Sequence, residues 1–267
     1  MGNILIINNS VLNTWGFAKL ATTISRQFKY DITIYCRTPA LCVPALALGA
    51  GDEPVDDMST LEEKLEQFNT NSTGAGLAIS PEGGIGARNI SDLLIAQNIK
   101  LIIMSKEDDM LMNLSPNERL AFVNKLTCPV LLLPEGHYEY PDKVVYLTDL
   151  RYCTLDALRF LKHFGCSIYV AHMTLPGMTD MEERYAQETL ADFAGRLNYN
   201  KMFLRNIRGK AKEYALEMIT SQVGINCVVV ESKKHLPLEN FLPGLCERSR
   251  NYDRAALLVL PYLNWRR

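Results

Sequence analysis

Short, continuous apolar runs alternate along the chain with stretches of helical period. "NILIINN" comes first, followed by Phe17, Leu20, Ala21, Ile24 and Phe28, whose spacing lays one apolar stripe along a helix. Then come "DITIYC", a long segment, "GLAIS", the helical "ARNISDLLIAQN", "LIIMS", another helix and "CPVLLLP". The second half runs "KVVYLTD", "TLDALRFLKHF", "SIYVAHM", a long helix pattern, "KMFLRNI", "KAKEYALEMITSQV", "CVVVES", a helix and "ALLVLP". Ala211, Ala215, Met218 and Ile219 give a helix of the second half its apolar face. Runs that are apolar throughout fit strands covered on both faces. Strands alternating with helices, joined by right-handed crossovers, predict an α/β fold with parallel pairing.

The two halves repeat one another. Ser105 and Ser232 are separated by the same interval as Pro134 and Pro261, so the fourth and fifth strands of each half keep one register. The boundary falls in "EGHYEYPD", Glu135 to Asp142, which divides the chain into residues 1–138 and 139–267. That stretch is too short for a free linker, and the halves are expected to pack together. Between Thr38 and Asn71 the pattern is least informative: "PALCVPALALGAG" reads equally as a packed surface loop or as an interface, and "STLEEKLEQF" as a short helix with a Ser/Glu box. Ser115, Pro116 and Glu118 predict a capped helix start, and Thr179 with Glu182 predicts a capping box opening the long helix of the second half.

Composition narrows the class. A net charge of −2 gives no whole-chain footprint for nucleic acid or an acidic membrane, so neither is expected as a partner. No stretch approaches a membrane span, and "MGNILI" lacks the marks of a signal peptide or a myristoylation site. The cysteines, at 36, 42, 128, 153, 166, 227 and 246, show no Cys-x-x-Cys spacing, and several sit inside apolar runs. They read as buried thiols in a reducing cytoplasm.

"CPVLLLPE" after an amphipathic helix, "LIIMS" before its loop, "KVVYLTDL" and "SIYVAHM" together resemble the universal stress protein family, across both halves. The resemblance implies two tandem five-stranded parallel-sheet domains of the adenine-nucleotide alpha-hydrolase-like class, strand order 3-2-1-4-5. It further implies a cytoplasmic stress-response protein built as an intramolecular pseudo-dimer, its final strands meeting across the pseudo-dimer interface, with a homodimer as a further option. In such a sheet a ligand sits beyond the carboxyl ends of strands 1 and 4, where the winding reverses. Those ends carry Asn8, Asn9 and Ser105 in the first half, and Thr148, Asp149, Ser232, Lys233 and Lys234 in the second.

Nucleotide-binding members of that family place glycines after strand 4, which let the backbone approach phosphates at a helix N-terminus. Here Ser105 and Asp108 stand where the first two glycines would stand, and Ser232 and His235 do so in the second half. Glu107, Asp108 and Asp109 would repel a polyphosphate, and the capped helix after them keeps its own amides. The first loop therefore reads as a solvated acidic loop with no nucleotide. In the second half Asp149 keeps the position that, by the resemblance, contacts the base end of a nucleotide, and Lys233, Lys234 and His235 make the following loop cationic. That loop is either a solvated basic turn or a retained anion contact, with ATP or AMP the ligand to try; no cofactor is otherwise expected. Gly83, Gly84 and Gly86 fit a strand-to-helix turn. The four histidines lack metal spacing, His172 reads as a satisfied structural histidine at a strand end, and no catalytic triad signature is present. The expectation is a non-enzymatic regulatory or binding protein with degenerate nucleotide motifs and an unidentified protein or small-ligand partner. The alternative is an adenine-nucleotide sensor using only the C-terminal cleft.

Overall fold

The computed structural model describes residues 2–8, 11–36, 77–80, 90–108, 111, 114–173, 179–207, 224–232 and 255–261. By contact the chain divides into two compact units, one through Tyr140 and one from Pro141 to Leu263. The architecture is mixed α/β. In the first unit, β1 (Asn3–Asn8), α1 (Val11–Phe28), β2 (Asp31–Cys36), β3 (Leu77–Ser80), α2 (Ile90–Ala96), β4 (Ile99–Ser105), α3 (Pro116–Lys125) and β5 (Val130–Leu133) follow in order. Neighbouring strands run β3-β2-β1-β4-β5, and each of these pairings is parallel. The second unit contains β6 (Lys143–Thr148), α4 (Leu155–His163), β7 (Ser167–Met173), α5 (Glu183–Leu197), β8 (Met202–Ile207), β9 (Cys227–Ser232) and β10 (Ala256–Pro261). Its strands run β10-β9-β6-β7-β8, again in parallel. In both units the winding reverses between the first and fourth strands, so a crevice opens beyond β1 and β4 and beyond β6 and β9.

The apolar runs form strands because both faces are buried. Ile4, Leu5 and Ile6 of β1 and Leu101 to Met104 of β4 have no exposure, and neither do Val145 and Tyr146 of β6. The α1 stripe packs as its spacing predicts: Phe17, Leu20, Ala21 and Ile24 are buried, with Phe28 half-buried at the end. Ser105 and Ser232 close β4 and β9, and Pro134 and Pro261 stand at the ends of β5 and β10.

Helix starts follow the local chemistry in two cases and depart from it in a third. Ser115 caps α3, accepting from the Glu118 amide, while the Glu118 carboxylate accepts from the Ser115 amide at 2.8 Å and Pro116 opens the helix. Thr154 caps α4 by accepting from the Ala157 amide. The box expected from Thr179 and Glu182 does not form: α5 begins three residues later than that box would start it, at Glu183, and Glu182 is its cap with no side-chain hydrogen bond. The Thr179 carbonyl is instead taken by Arg151 Nη1 at 3.0 Å, which ties that residue to the loop after β6. The segments 38–71, 81–89 and 211–223 lie outside the described residues, and with them the readings made on the glycines at 83, 84 and 86 and on the helix around Ala211.

Cys128, Cys166 and Cys227 are buried, Cys153 is half-buried, and all four are free thiols. Burial pushes the Cys128 and Cys166 thiols up to about 12, so both stay protonated and unreactive.

Gly16 lies in the second turn of α1, where alanine would ordinarily be the better helix former. A Cβ there would fall 2.0 Å from the ring of Tyr138, whose edge packs against Phe17 with ring centroids 5.2 Å apart. The glycine is required by that approach, because the atoms met include the root of the ring and not a mobile tip. Gly16→Ala is therefore expected to lower the stability of the first unit by about 1–3 kcal/mol, despite the better propensity. Urea unfolding checks this, and the same substitution made beside Tyr138→Ala is expected to be neutral or stabilising.

Candidate functional site

The second crevice is built on the end of β6. Thr148 is its last residue and Asp149 follows; both are fully buried. The Thr148 hydroxyl donates to the Asp149 carbonyl at 3.3 Å. A bare carboxylate at this depth would be strongly disfavoured, and Arg151 neutralises it. Arg151 Nε donates to Asp149 Oδ1 at 2.9 Å and Nη2 to Oδ2 at 2.6 Å, a two-pronged pair, while the Arg151 amide also donates to Oδ1 at 3.1 Å. The hydrogen bond to Asp149 pushes the guanidinium's pKa further up, against a smaller effect of burial. The third prong of the guanidinium reaches the Thr179 carbonyl. One arginine thus joins the end of β6 to the segment that precedes α5.

His172, opposite Thr148 in register on β7, is also buried. Its Nδ1 accepts from the Leu150 amide at 3.2 Å and lies 3.9 Å from Asp149 Oδ1, too far for a hydrogen bond. With Nδ1 as acceptor, the neutral ring carries its proton on Nε2. That atom is buried and has no hydrogen-bond partner among the described residues. The Thr148 backbone also acts on the ring, so of the contacts of the histidine expected to be satisfied the well-formed one is that at Nδ1. Burial holds its pKa below the ordinary histidine range, the Arg151 charge acts in the same direction, and Asp149 opposes both.

Strand alternation places two more polar groups nearby. Leu147 pairs with Val230, so the next position sets Glu231 of β9 beside Thr148, with His172 on the other side. Glu231 is buried, as is Tyr146 two residues before Thr148, and the Tyr146 hydroxyl lacks a partner among the described residues. Ser232, the last residue of β9, is half-buried and pairs with Pro261. The structure thus brings Thr148, Asp149 and Ser232 to the ends of adjacent strands, while Lys233 and Lys234, like His235, lie outside the described residues. Arg151, His172 and Glu231 were not among the residues expected to form the site. The signals were present: an arginine two positions after the aspartate, and a histidine and a glutamate each closing an apolar strand.

The first crevice is organised differently, and its loop departs from expectation. It is not a solvated acidic loop: Lys106 and Asp108 are both buried, and Glu107 is half-buried. The Lys106 amide donates to the Leu133 carbonyl at 2.9 Å, and the Leu111 amide to the Asp108 carbonyl at 2.8 Å, folding the turn onto the end of β5. Glu107 Oε2 accepts from the Glu135 amide at 3.2 Å and lies 3.5 Å from the Ser105 hydroxyl. Its own amide donates to Ser105 Oγ at 3.1 Å. The carboxylate thus takes the Glu135 amide. Asn9 and Asp109 lie outside the described residues. Among the described residues no group of three or more His, Cys, Asp or Glu side chains is placed to hold a metal, and no helix is long and apolar enough to cross a membrane.

No family profile matches the chain, and no curated protein matches it. Solved structures do. A universal stress protein from Archaeoglobus fulgidus DSM 4304 aligns over 97% of this chain and 96% of its own, at 12% identity and a TM-score of 0.56. A protein designated a universal stress protein from Pseudomonas aeruginosa UCBPP-PA14 aligns over 97% and 92%, at 13% identity and a TM-score of 0.60. The fold is that of the universal stress proteins. A functionally unknown protein from Pseudomonas aeruginosa PAO1 has it too, with 15% identity, 97% and 92% coverage and a TM-score of 0.57. At these identities the likeness speaks for the fold, and the chemistry of the crevices rests on this chain's own residues.

Within that fold His172 gives a signed pH dependence. Its folded pKa lies below the unfolded value, so below about pH 6.5 the unfolded chain binds the proton first and stability is lost as the pH falls toward the folded value. The contribution is complete above about pH 6.5 and declines by up to about 1.4 kcal/mol per pH unit inside the window. Urea unfolding at pH 7.5 and 5.5 is expected to show a larger loss for the wild type than for His172→Gln; equal losses contradict this reading.

Proposed function

We propose that this chain is a universal-stress-protein-like regulatory or binding protein, with two tandem domains of that fold and nucleotide motifs that have degenerated. The pseudo-dimer belongs to this reading on the strength of the sequence repeat alone. The observation that carries it is the pairing of Asp149 with Arg151. The aspartate that would meet the base of a nucleotide is fully buried, with both oxygens committed to a guanidinium in the same loop. An incoming adenine would have to displace a charge-assisted, two-pronged pair and leave a buried charge uncompensated, which costs about 3–5 kcal/mol. The first crevice supports the same reading, since Glu107 and the Ser115 cap hold the amides a phosphate would take. The protein acts by binding or conformation in this account, without catalysis.

A second reading keeps an adenine-nucleotide sensor, with ATP or AMP at the C-terminal crevice alone. The buried Nε2 of His172 favours it, as a donor without a partner among the described residues that a ligand could satisfy. Lys233 and Lys234 favour it by their charge in the sequence.

Calorimetric titration of ATP and of AMP into the wild type, Asp149→Ala and Arg151→Ala separates the two. The leading account expects no saturable heat for the wild type at millimolar ligand. It also expects Arg151→Ala to unfold at lower urea, because the buried carboxylate loses its cation. Saturable wild-type binding that Asp149→Ala abolishes would establish the sensor and overturn the degenerate-site account.

A further inference from the structure

The outer strand of the second unit, β8, pairs with β7 alone among the described residues. The Ile168 amide donates to the Lys201 carbonyl at 2.8 Å, which fixes the sense of the strand. By alternation, the backbone groups of Phe203 and Arg205 face β7, while those of Met202, Leu204 and Asn206 face outward. Outward amides and carbonyls that no strand among the described residues takes are a template for another strand.

The side chains on this edge form a platform. Phe203 is 41% exposed and stacks on Tyr169, directly across the ladder, with ring centroids 5.1 Å apart and planes 26° from parallel. The Arg205 guanidinium lies over the Tyr169 ring at 5.3 Å, and its Nη1 donates to the outward carbonyl of Leu204 at 3.1 Å. Lys201, one residue before the strand, is exposed, and its Nζ donates to the Gly165 carbonyl at 3.2 Å. Lys143, exposed at the start of β6, lies on the same side of the sheet as Val145, the partner of Tyr169. Asp142 beside it accepts from Asn226 Nδ2 at 2.8 Å. An exposed aromatic ring is therefore bracketed along one edge by Lys201 and Arg205.

We propose that β8 is a docking edge for an extended acidic segment of a partner protein, added as an extra strand. The segment's backbone would bond the outward groups of Met202, Leu204 and Asn206. Its carboxylates would meet Lys201 and Arg205, and an apolar side chain between them would cover Phe203. The charges argue against a second copy of this chain as the occupant. Antiparallel pairing of two β8 strands about Phe203 would set Arg205 across from Lys201 of the other copy, a like-charge pair that destabilises a ladder. The outward backbone favours a peptide over a nucleic acid strand, which has no use for a row of alternating amides and carbonyls. The Arg205 bond to the Leu204 carbonyl covers the edge of the unbound chain and opens when the segment docks.

Fluorescence anisotropy of the full chain tests this with a labelled seven-residue peptide carrying glutamate, phenylalanine and glutamate at its second, fourth and sixth positions and threonine elsewhere, so that the three side chains share one face of an extended strand. Its lysine counterpart and a labelled ten-nucleotide oligothymidine complete the set. The expected result is saturable, salt-sensitive binding of the acidic peptide alone, weakened about tenfold by Arg205→Glu with Lys201→Glu. Phe203→Ala should weaken it independently of salt, and amide exchange should slow at Met202, Leu204 and Asn206. Sedimentation should show no loss of self-association in the charge-reversed variant. Absence of acidic-peptide binding at millimolar peptide overturns the proposal. So does binding that the charge reversal leaves unchanged, or oligothymidine binding that the charge reversal abolishes while the peptide stays inert.

Discussion

Asp149 lies just past the end of a strand buried on both faces, where water cannot solvate its charge. Everything around the second crevice follows from how that charge is met. Arg151 supplies two parallel hydrogen bonds and a full positive charge from two residues away, so the loop after β6 turns tightly enough for Leu150 to offer its amide to His172. The same guanidinium fixes the Thr179 carbonyl and so the approach to α5. The end of the crevice is here completed by the chain's own side chain.

The first crevice reaches a comparable end by different chemistry. There the amides at the crevice, rather than a carboxylate, need partners. Glu107 takes the Glu135 amide, Ser105 takes the Glu107 amide, and Ser115 with Glu118 closes the start of α3. Tyr138 then packs across Gly16 and Phe17, pinning the chain that leaves β5 against α1. In both units, groups that could serve an anion or a base are engaged from within.

Much of the fold was legible because it depends on patterns that are local in sequence. The uninterrupted apolar runs became buried parallel strands, the Phe17 to Ile24 stripe became the inner face of α1, and Ser115, Pro116 and Glu118 opened α3 as written. The exceptions involve partners distant in the chain. Thr179 and Glu182 satisfy the spacing of a capping box, but the Arg151 bond holds the Thr179 carbonyl and α5 starts only at Glu183. The charges of "KED" suggested a solvated loop, yet the Lys106 amide bonds the end of β5, the Asp108 amide bonds the Ser105 carbonyl, and both residues are buried. At the candidate site Thr148, Asp149 and Ser232 could be placed from strand ends alone. Arg151 pairs with Asp149 from two residues away, a contact that is local but that the strand pattern does not announce, while the roles of His172 and Glu231 depend on register across strands, which no single segment reveals.

The central claim is that Asp149 is already occupied. Nitrogen-15 NMR of the Arg151 Nε–H group addresses it directly at neutral pH, with and without millimolar ATP. A sharp, slowly exchanging Nε–H signal that ATP leaves in place is the predicted result. A signal averaged with solvent, or one that ATP shifts and exposes to exchange, would contradict the account.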